Sequence, residues 1–260
     1  MTEKKQGYSF DAVIFDLDGV VTKTAVVHAA AWKAMFDEYL RGRAQKTGGG
    51  FKEFTYEGDY LIYVDGKPRY KGVQSFLESR DIHLEYGDPK DSPDQETVCG
   101  LGNRKNQKFV EVLKEKGAEV YETTVVLIRN LRAKGIHIGV ASSSVNCQYI
   151  LQSTGLEELF ETRVDGVVSK ELGLKGKPEG DIFVTAAKNV GASPDRAIVV
   201  EDAVSGVQAG VNGGFGLVIG VARENNQEEL KKNGADVVID DFAGITTETI
   251  EEWFTQKNSQ

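Results

Sequence analysis

Two cysteines, Cys99 and Cys147, are all that the 260 residues contain. They stand far apart and without metal-type spacing, which excludes a disulfide framework and a cysteine-rich zinc site and fits a reducing cytoplasm. Positive charge is also short: 31 Lys and Arg against 40 Asp and Glu leave a net charge of −9. No basic run appears, so a broad nucleic-acid or anionic-membrane surface is excluded, and an anionic substrate must meet a local positive pocket. No apolar run is long enough to span a bilayer, and "MTEKKQGYS" carries charge with no apolar segment behind it. A soluble, unexported, cytoplasmic protein is expected, with neither nucleic acid nor membrane as partner. Internal repeats and low-complexity tracts are missing as well. What is present is an ordinary globular composition, 40% hydrophobic and 27% charged, enough for one large domain or two smaller ones.

Short β-branched runs alternate with helical patterns. "DAVIF", "IHIGVA", "AIVVED", "GLVIGV" and "DVVID" read as buried strands of a parallel sheet covered on both faces, because polar alternation is nearly absent from them. Between them "ETTVVLIRNLRAKG", "NCQYILQSTG" and "GDIFVTAAKNVG" have helix-spaced apolar positions and end at Gly135, Gly155 and Gly191. The alternation predicts an α/β fold, a doubly wound parallel Rossmann-like sheet. The rhythm breaks after the first strand. "AVVHAAAWKAMFDEYLRG" is helical, "TGGGFKEFTYEGDYLIYVDGKPRYKG" is rich in glycine and aromatics, and "GVQSFLESR" and "NRKNQKFVEVLKEKG" are helical again. Such a segment is too long for a loop. An inserted, mainly helical cap over residues 24–121 is expected above the sheet, with residues 1–23 and 122–260 forming the catalytic core.

Ligands of open α/β sheets lie outside the carboxyl ends of the strands. The first strand delivers Asp16 and Asp18 there, and the "IHIGVASSS" strand delivers Ser142, Ser143 and Ser144. "AIVVED" delivers Glu201 and Asp202, while the loop "LGLKGKPEGD" offers Lys175, Lys177 and Pro178. Each has a plain structural explanation: "DLDG" as a turn, the serines as a helix N-cap, Lys177 in a solvated loop. Two adjacent acids closing an apolar strand resist that explanation, since they repel one another unless a cation or donors stand near.

Taken together, "DLDGV", "VASSS", "KGKPEGDIF" and "VVEDAVSG" resemble, in order, the four motifs of the haloacid dehalogenase superfamily, over nearly the whole chain. Within it the likeness is to the beta-phosphoglucomutase-like branch, whose helical cap also follows the first motif. The chemistry then assigns roles. A phosphomonoester is a dianion, so an attacking carboxylate needs cations to offset the repulsion. Asp16 is the expected nucleophile, forming an aspartyl phosphate. Mg²⁺ is the expected cofactor, held by Asp16, Asp202 and the Asp18 carbonyl, with Glu201 joining through water. Lys177 neutralises the transferred group, and Ser142 with the amide of Ser143, opening a helix, donates to its oxygens. Asp18 is the expected general acid and base, with Thr22 or Thr24 orienting it.

The resemblance carries further residues into the cap. Thr24, His28 and Trp32 share one helical face. His28 matches a histidine that positions the acid/base, Lys105 in "NRKN" a lysine that touches the sugar phosphate, and Gly72 and Val73 in "YKGV" a segment near the substrate. Three positions depart from the pattern: Ser75 stands where the branch has an arginine, Val145 where it has a lysine, and Lys23 where it has an aspartate. Ser144 and Asn146 remain as partners for a remote phosphate, with Arg69 or Arg80 as candidate cations. The expected activity is magnesium-dependent phosphoryl transfer on a small phosphorylated substrate, a sugar phosphate, by a monomer. A phosphatase on the same site is the alternative, and a non-catalytic binding module of the same fold is a third.

Overall fold

A computed structural model describes residues 7–223 and 225–259. The chain divides into two compact units, residues 1–22 with 120–260, and residues 23–119.

The unit 23–119 is mainly helical. Helix α1 (Ala25–Thr47) ends at Gly48, whose φ of +69° is open to glycine at little cost. The aromatic stretch after it closes into a π-helix (Tyr56–Val64), followed by α2 (Arg69–Ser79) and α3 (Val98–Lys116). Helix α3 starts five residues earlier than its apolar pattern suggests, because the Thr97 side chain accepts the Gly100 N–H and caps it. Rings dominate this unit's core: Phe36 lies 4.1 Å from Phe76 and 5.1 Å from Phe54 between centroids. Two buried carboxylates tie the irregular stretch down. Asp37 accepts the Phe54 N–H, and Asp59 accepts from Thr55 and pairs with Arg80.

The other unit carries six parallel strands, β1 (Ala12–Phe15), β2 (His137–Ala141), β3 (Thr162–Val164), β4 (Ala197–Glu201), β5 (Leu217–Val221) and β6 (Val237–Ile239). Their order is β3-β2-β1-β4-β5-β6. Every residue of β1, β4 and β5 is buried, as expected of strands covered on both sides. Helices α4 (Glu122–Ala133), α5 (Cys147–Ser153), α6 (Gly166–Leu172), α7 (Asp181–Asn189), α8 (Val204–Asn212), α9 (Gln227–Lys232) and α10 (Thr247–Asn258) complete the unit. Gly135, Gly155 and Gly191 follow α4, α5 and α7 with positive φ, as their sequence positions predict. The doubly wound sheet with a helical insert is therefore borne out. Strand β3 was not foreseen: "TRV" is too short to show a period.

Numbering reverses direction where β1 lies beside β4, with Phe15 opposite Val200. This is the switch point at which open sheets bind ligands. Asp16 follows β1 there, and Asp202 follows β4. Among the described residues, no helix is long and apolar enough to cross a membrane.

Candidate active site

Strand β1 delivers Asp16 to the switch point with its N–H still in the ladder, donating to Val200 O at 2.9 Å. The side chain is 5% exposed and meets the ammonium of Lys177 at 2.5 Å. Lys177 is buried too, and it also donates to Glu201 Oε1. Glu201 uses its second oxygen to accept the Ala203 N–H at 2.8 Å. An ammonium this deep is stable only because two carboxylates flank it. Burial works against the Lys177 charge, but Asp16 and Glu201 outweigh it and hold the pKa above the ordinary lysine value. Burial pushes the Asp16 carboxyl well above the usual carboxylate range; Lys177 opposes this, while Glu201 and Asp18 add repulsion.

Two glycines make room for this arrangement. A Cβ on Gly206 would fall 1.7 Å from Glu201 Oε1, and one on Gly19 would fall 1.8 Å from Asp202 Oδ2. Gly19 also has φ +91°, so the turn after "DLD" needs glycine for both backbone and space. Hydrogen bonds from Gly19 N, Val21 N and Thr22 N close that turn onto Thr22 and Leu17 carbonyls. Arg223 clamps it from outside, donating from Nε to Gly19 O at 3.0 Å while its guanidinium stacks 3.6 Å from the Tyr121 ring centroid. Sequence patterns missed Arg223, which lies 204 residues from its partner.

Ser142 follows β2, which lies across β1 from β4, and donates to Asp18 Oδ2 at 3.4 Å. Its oxygen also accepts the Ser144 N–H, and the Ser144 hydroxyl accepts the Asn146 N–H. The expected helix opening at Ser143 is replaced by these turns: α5 starts at Cys147, with Asn146 as its N-cap residue. Thr22 donates its hydroxyl to Leu17 O, so it shapes the loop as well as lying near Asp18. Cys147 is buried, and its thiol pKa is pushed well above normal by burial and by the Asp18 and Asp16 charges, which argues against a nucleophilic role.

In the other unit, the expected sugar-site residues fall along a connected line. His28 Nδ1 lies 2.5 Å from Lys105 Nζ, and the His28 ring stacks on Phe109. The buried Lys105 ammonium lies 5.0 Å from the Trp32 ring centroid. A Cβ on Gly72 would fall 3.5 Å from Trp32. Val73 points into the hydrophobic core beside Phe76, so its side chain serves packing. Thr24 is buried, and its carbonyl accepts the His28 N–H. Arg80 is committed to Asp59, at 2.8 Å, and to the carbonyls of Lys52 and Glu53. Arg69 donates to Asn103 Oδ1.

Residues 10–214 match the family described as haloacid dehalogenase-like hydrolase. The chain is 46% identical to a beta-phosphoglucomutase of Mycobacterium tuberculosis, over 90% of each chain. It is 31% identical to the beta-phosphoglucomutase of Bacillus subtilis, over 93% of this chain and 95% of that one. Its fold matches a crystal structure of beta-phosphoglucomutase from Clostridium difficile with TM-score 0.74 at 26% identity, covering 96% of this chain and all of that one. The chain belongs to the haloacid dehalogenase-like hydrolases, as an enzyme of their beta-phosphoglucomutase-like branch.

Proposed function

We propose that the chain transfers a phosphoryl group on a sugar phosphate, with Asp16 as the residue that is transiently phosphorylated. The observation that supports this most strongly is the buried Asp16–Lys177–Glu201 arrangement at the switch point. Lys177 keeps one Asp16 oxygen fixed and leaves the other for attack on phosphorus, while its charge offsets the incoming dianion. Glu201 fixes Lys177 with one oxygen and accepts the Ala203 N–H with the other, and it joins the metal through water. Asp18, beside the Ser142 hydroxyl, gives a proton to the leaving oxygen and takes one from the acceptor hydroxyl. Ser142, the Ser143 amide, Ser144 and Asn146 receive the phosphate oxygens. His28, Lys105, Gly72 and Thr24 serve the sugar.

The donor set suits Mg²⁺. Asp16 and Glu201 flank a single lysine and Asp18 adds repulsion at Asp16, so the site is short of positive charge. Among the described residues, no three His, Cys, Asp or Glu side chains form a metal cage. Magnesium needs none: one or two carboxylates with carbonyl, water and phosphate oxygens suffice. Asp16, Asp202 and the Asp18 carbonyl would hold it, and when bound it would neutralise the phosphoryl oxygens. Two buried free cysteines suit work in a reducing cytoplasm.

Supplying Mg²⁺, β-glucose 1-phosphate and a trace of bisphosphate primer, and following the reaction by phosphorus NMR, tests the proposal. Glucose 6-phosphate as product supports it; no turnover of any sugar phosphate in a broad panel contradicts it. A second reading, hydrolysis by the same aspartate, draws on Val145, an exposed apolar side chain beside the phosphate-binding serines. Inorganic phosphate as the product would favour that reading.

A further inference from the structure

The short segment between β5 and α9 reaches both loops that carry the acids of the switch point. Arg223 Nε donates to Gly19 O at 3.0 Å, and Asn226 Nδ2 donates to Asp202 O at 3.1 Å. The segment is moored to the residues that follow β6: Arg223 Nη1 donates to Asp240 O at 2.9 Å and to Asp241 Oδ2 at 3.0 Å. Before Asn226 the chain turns at Asn225, whose φ of +53° lies in the left-handed region that asparagine tolerates better than most residues. The two loops also meet each other, since a Cβ on Gly19 would strike Asp202 Oδ2. Among the described residues, Arg223 Nη2 and Asn226 Oδ1 are buried polar atoms with no hydrogen-bond partner. Packing alone does not account for them; buried atoms left open are the ones that a water or an ion completes.

We propose that Arg223 and Asn226 are positioning residues for the cation site, which together fix the spacing between the Asp18 carbonyl and the Asp202 carboxylate. This rests on the placement of Mg²⁺ given above and adds to it two residues outside the four motifs. The Asp18 carbonyl belongs to the planar peptide joined to Gly19, so a bond that fixes the Gly19 carbonyl limits how that plane can rotate. The Asp202 carbonyl and carboxylate belong to one residue, so holding the first restricts the second. Magnesium demands near-ideal octahedral geometry. A small shift of one oxygen against another therefore costs affinity, as it does when the groups that orient metal ligands are altered. The plain alternative, that the segment only closes the edge of the sheet at β6, is served by Asp240 and Asp241 and needs neither Gly19 nor Asp202.

The test is binding of Mn²⁺ as the probe, followed by its electron paramagnetic resonance signal in substrate-free protein, which does not depend on turnover. Asn226→Ala and Arg223→Met are each expected to weaken Mn²⁺ binding about 10- to 100-fold. Arg223→Lys keeps a donor for Gly19 O and recovers part of the loss. Arg196→Met, which breaks the ion pair with Asp11 at the opposite ends of β1 and β4, leaves Mn²⁺ affinity unchanged. Wild-type affinity in Asn226→Ala protein overturns the proposal, as does the absence of Mn²⁺ binding to unmutated protein. So does an Arg223→Lys protein that binds as weakly as Arg223→Met, or a loss of affinity that Arg196→Met shares, since either marks a general loss of stability. If Arg223→Met does not fold, Asn226→Ala and Arg223→Lys decide the matter. Failure of the phosphoryl-transfer reading shows separately, as absent turnover in unmutated protein whose Mn²⁺ affinity still depends on Asn226.

Discussion

The two units surround their buried lysines differently. In the sheet unit, the ammonium of Lys177 is enclosed by two carboxylates, and every partner sits at the end of a strand or in the loop before α7. In the helical unit, Lys105 rests on rings and a histidine and Lys67 rests on carbonyls and a hydroxyl. A closed charge balance suits chemistry that must not shift between substrates. The difference teaches that opposite charge is not the only means by which this chain holds an ammonium in place.

Breaking the balance in the sheet unit has the largest effect. Lys177→Met leaves Asp16 and Glu201 facing each other in the interior. Activity falls at least about 10³-fold, and urea unfolding loses about 3–5 kcal/mol, the cost of removing one member of a buried pair. Activity loss with unchanged stability would show that Lys177 is not part of a closed charge set. Phe36→Ala strikes the ring cluster of the helical unit, where packing rather than charge balance carries stability. A loss of about 3–5 kcal/mol is expected in the same unfolding experiment; less than about 1 kcal/mol would mean that the rings collapse into the gap.

Gly19→Ala sharpens the comparison further. Its methyl would displace the Asp202 carboxylate, and a catalytic carboxylate misplaced by about 1 Å costs roughly 10²-fold in kcat. Steady-state kinetics with circular dichroism would separate this from misfolding, and wild-type kcat would refute the crowding. The smallest effect belongs to Asp59→Asn in the helical unit. Burial works to raise the Asp59 pKa, but hydrogen bonds from Arg80 and Thr55 outweigh it and hold the group below its ordinary value. A depressed folded-state pKa contributes stability that is present above the unfolded value and is lost as pH falls through the folded one. The variant is therefore less stable by about 1–2 kcal/mol near pH 7, and the gap from wild type closes below about pH 4. A gap independent of pH would assign the loss to packing instead.

The same contrast explains what sequence alone could show. Asp16, Asp18, Glu201 and Asp202 were legible because an apolar strand ending in acids has few structural explanations. The doubly wound parallel sheet followed from buried strands alternating with helices, but its strand order did not, since "TRV" at β3 is too short to show a period. Glu201 was visible as an acid but not as the partner of Lys177, since that contact joins separate motifs across 24 residues. Arg223 was invisible for the same reason. The π-helix has no sequence period of its own, so "YEGDYLIYV" read only as an aromatic stretch, and Lys67, which it positions, went unremarked. The serine run read as a helix opening, but Ser142 and Ser144 hold turns before α5 instead.

All of this depends on Asp16 accepting phosphorus directly. The most direct measurement is acid quenching of the enzyme during turnover of a phosphorus-labelled substrate, followed by peptide mapping. Label on the peptide containing Asp16, released by hydroxylamine and absent from Asp16→Asn protein, is the predicted result. Turnover with no label on wild-type protein, or label retained by Asp16→Asn protein, would contradict it.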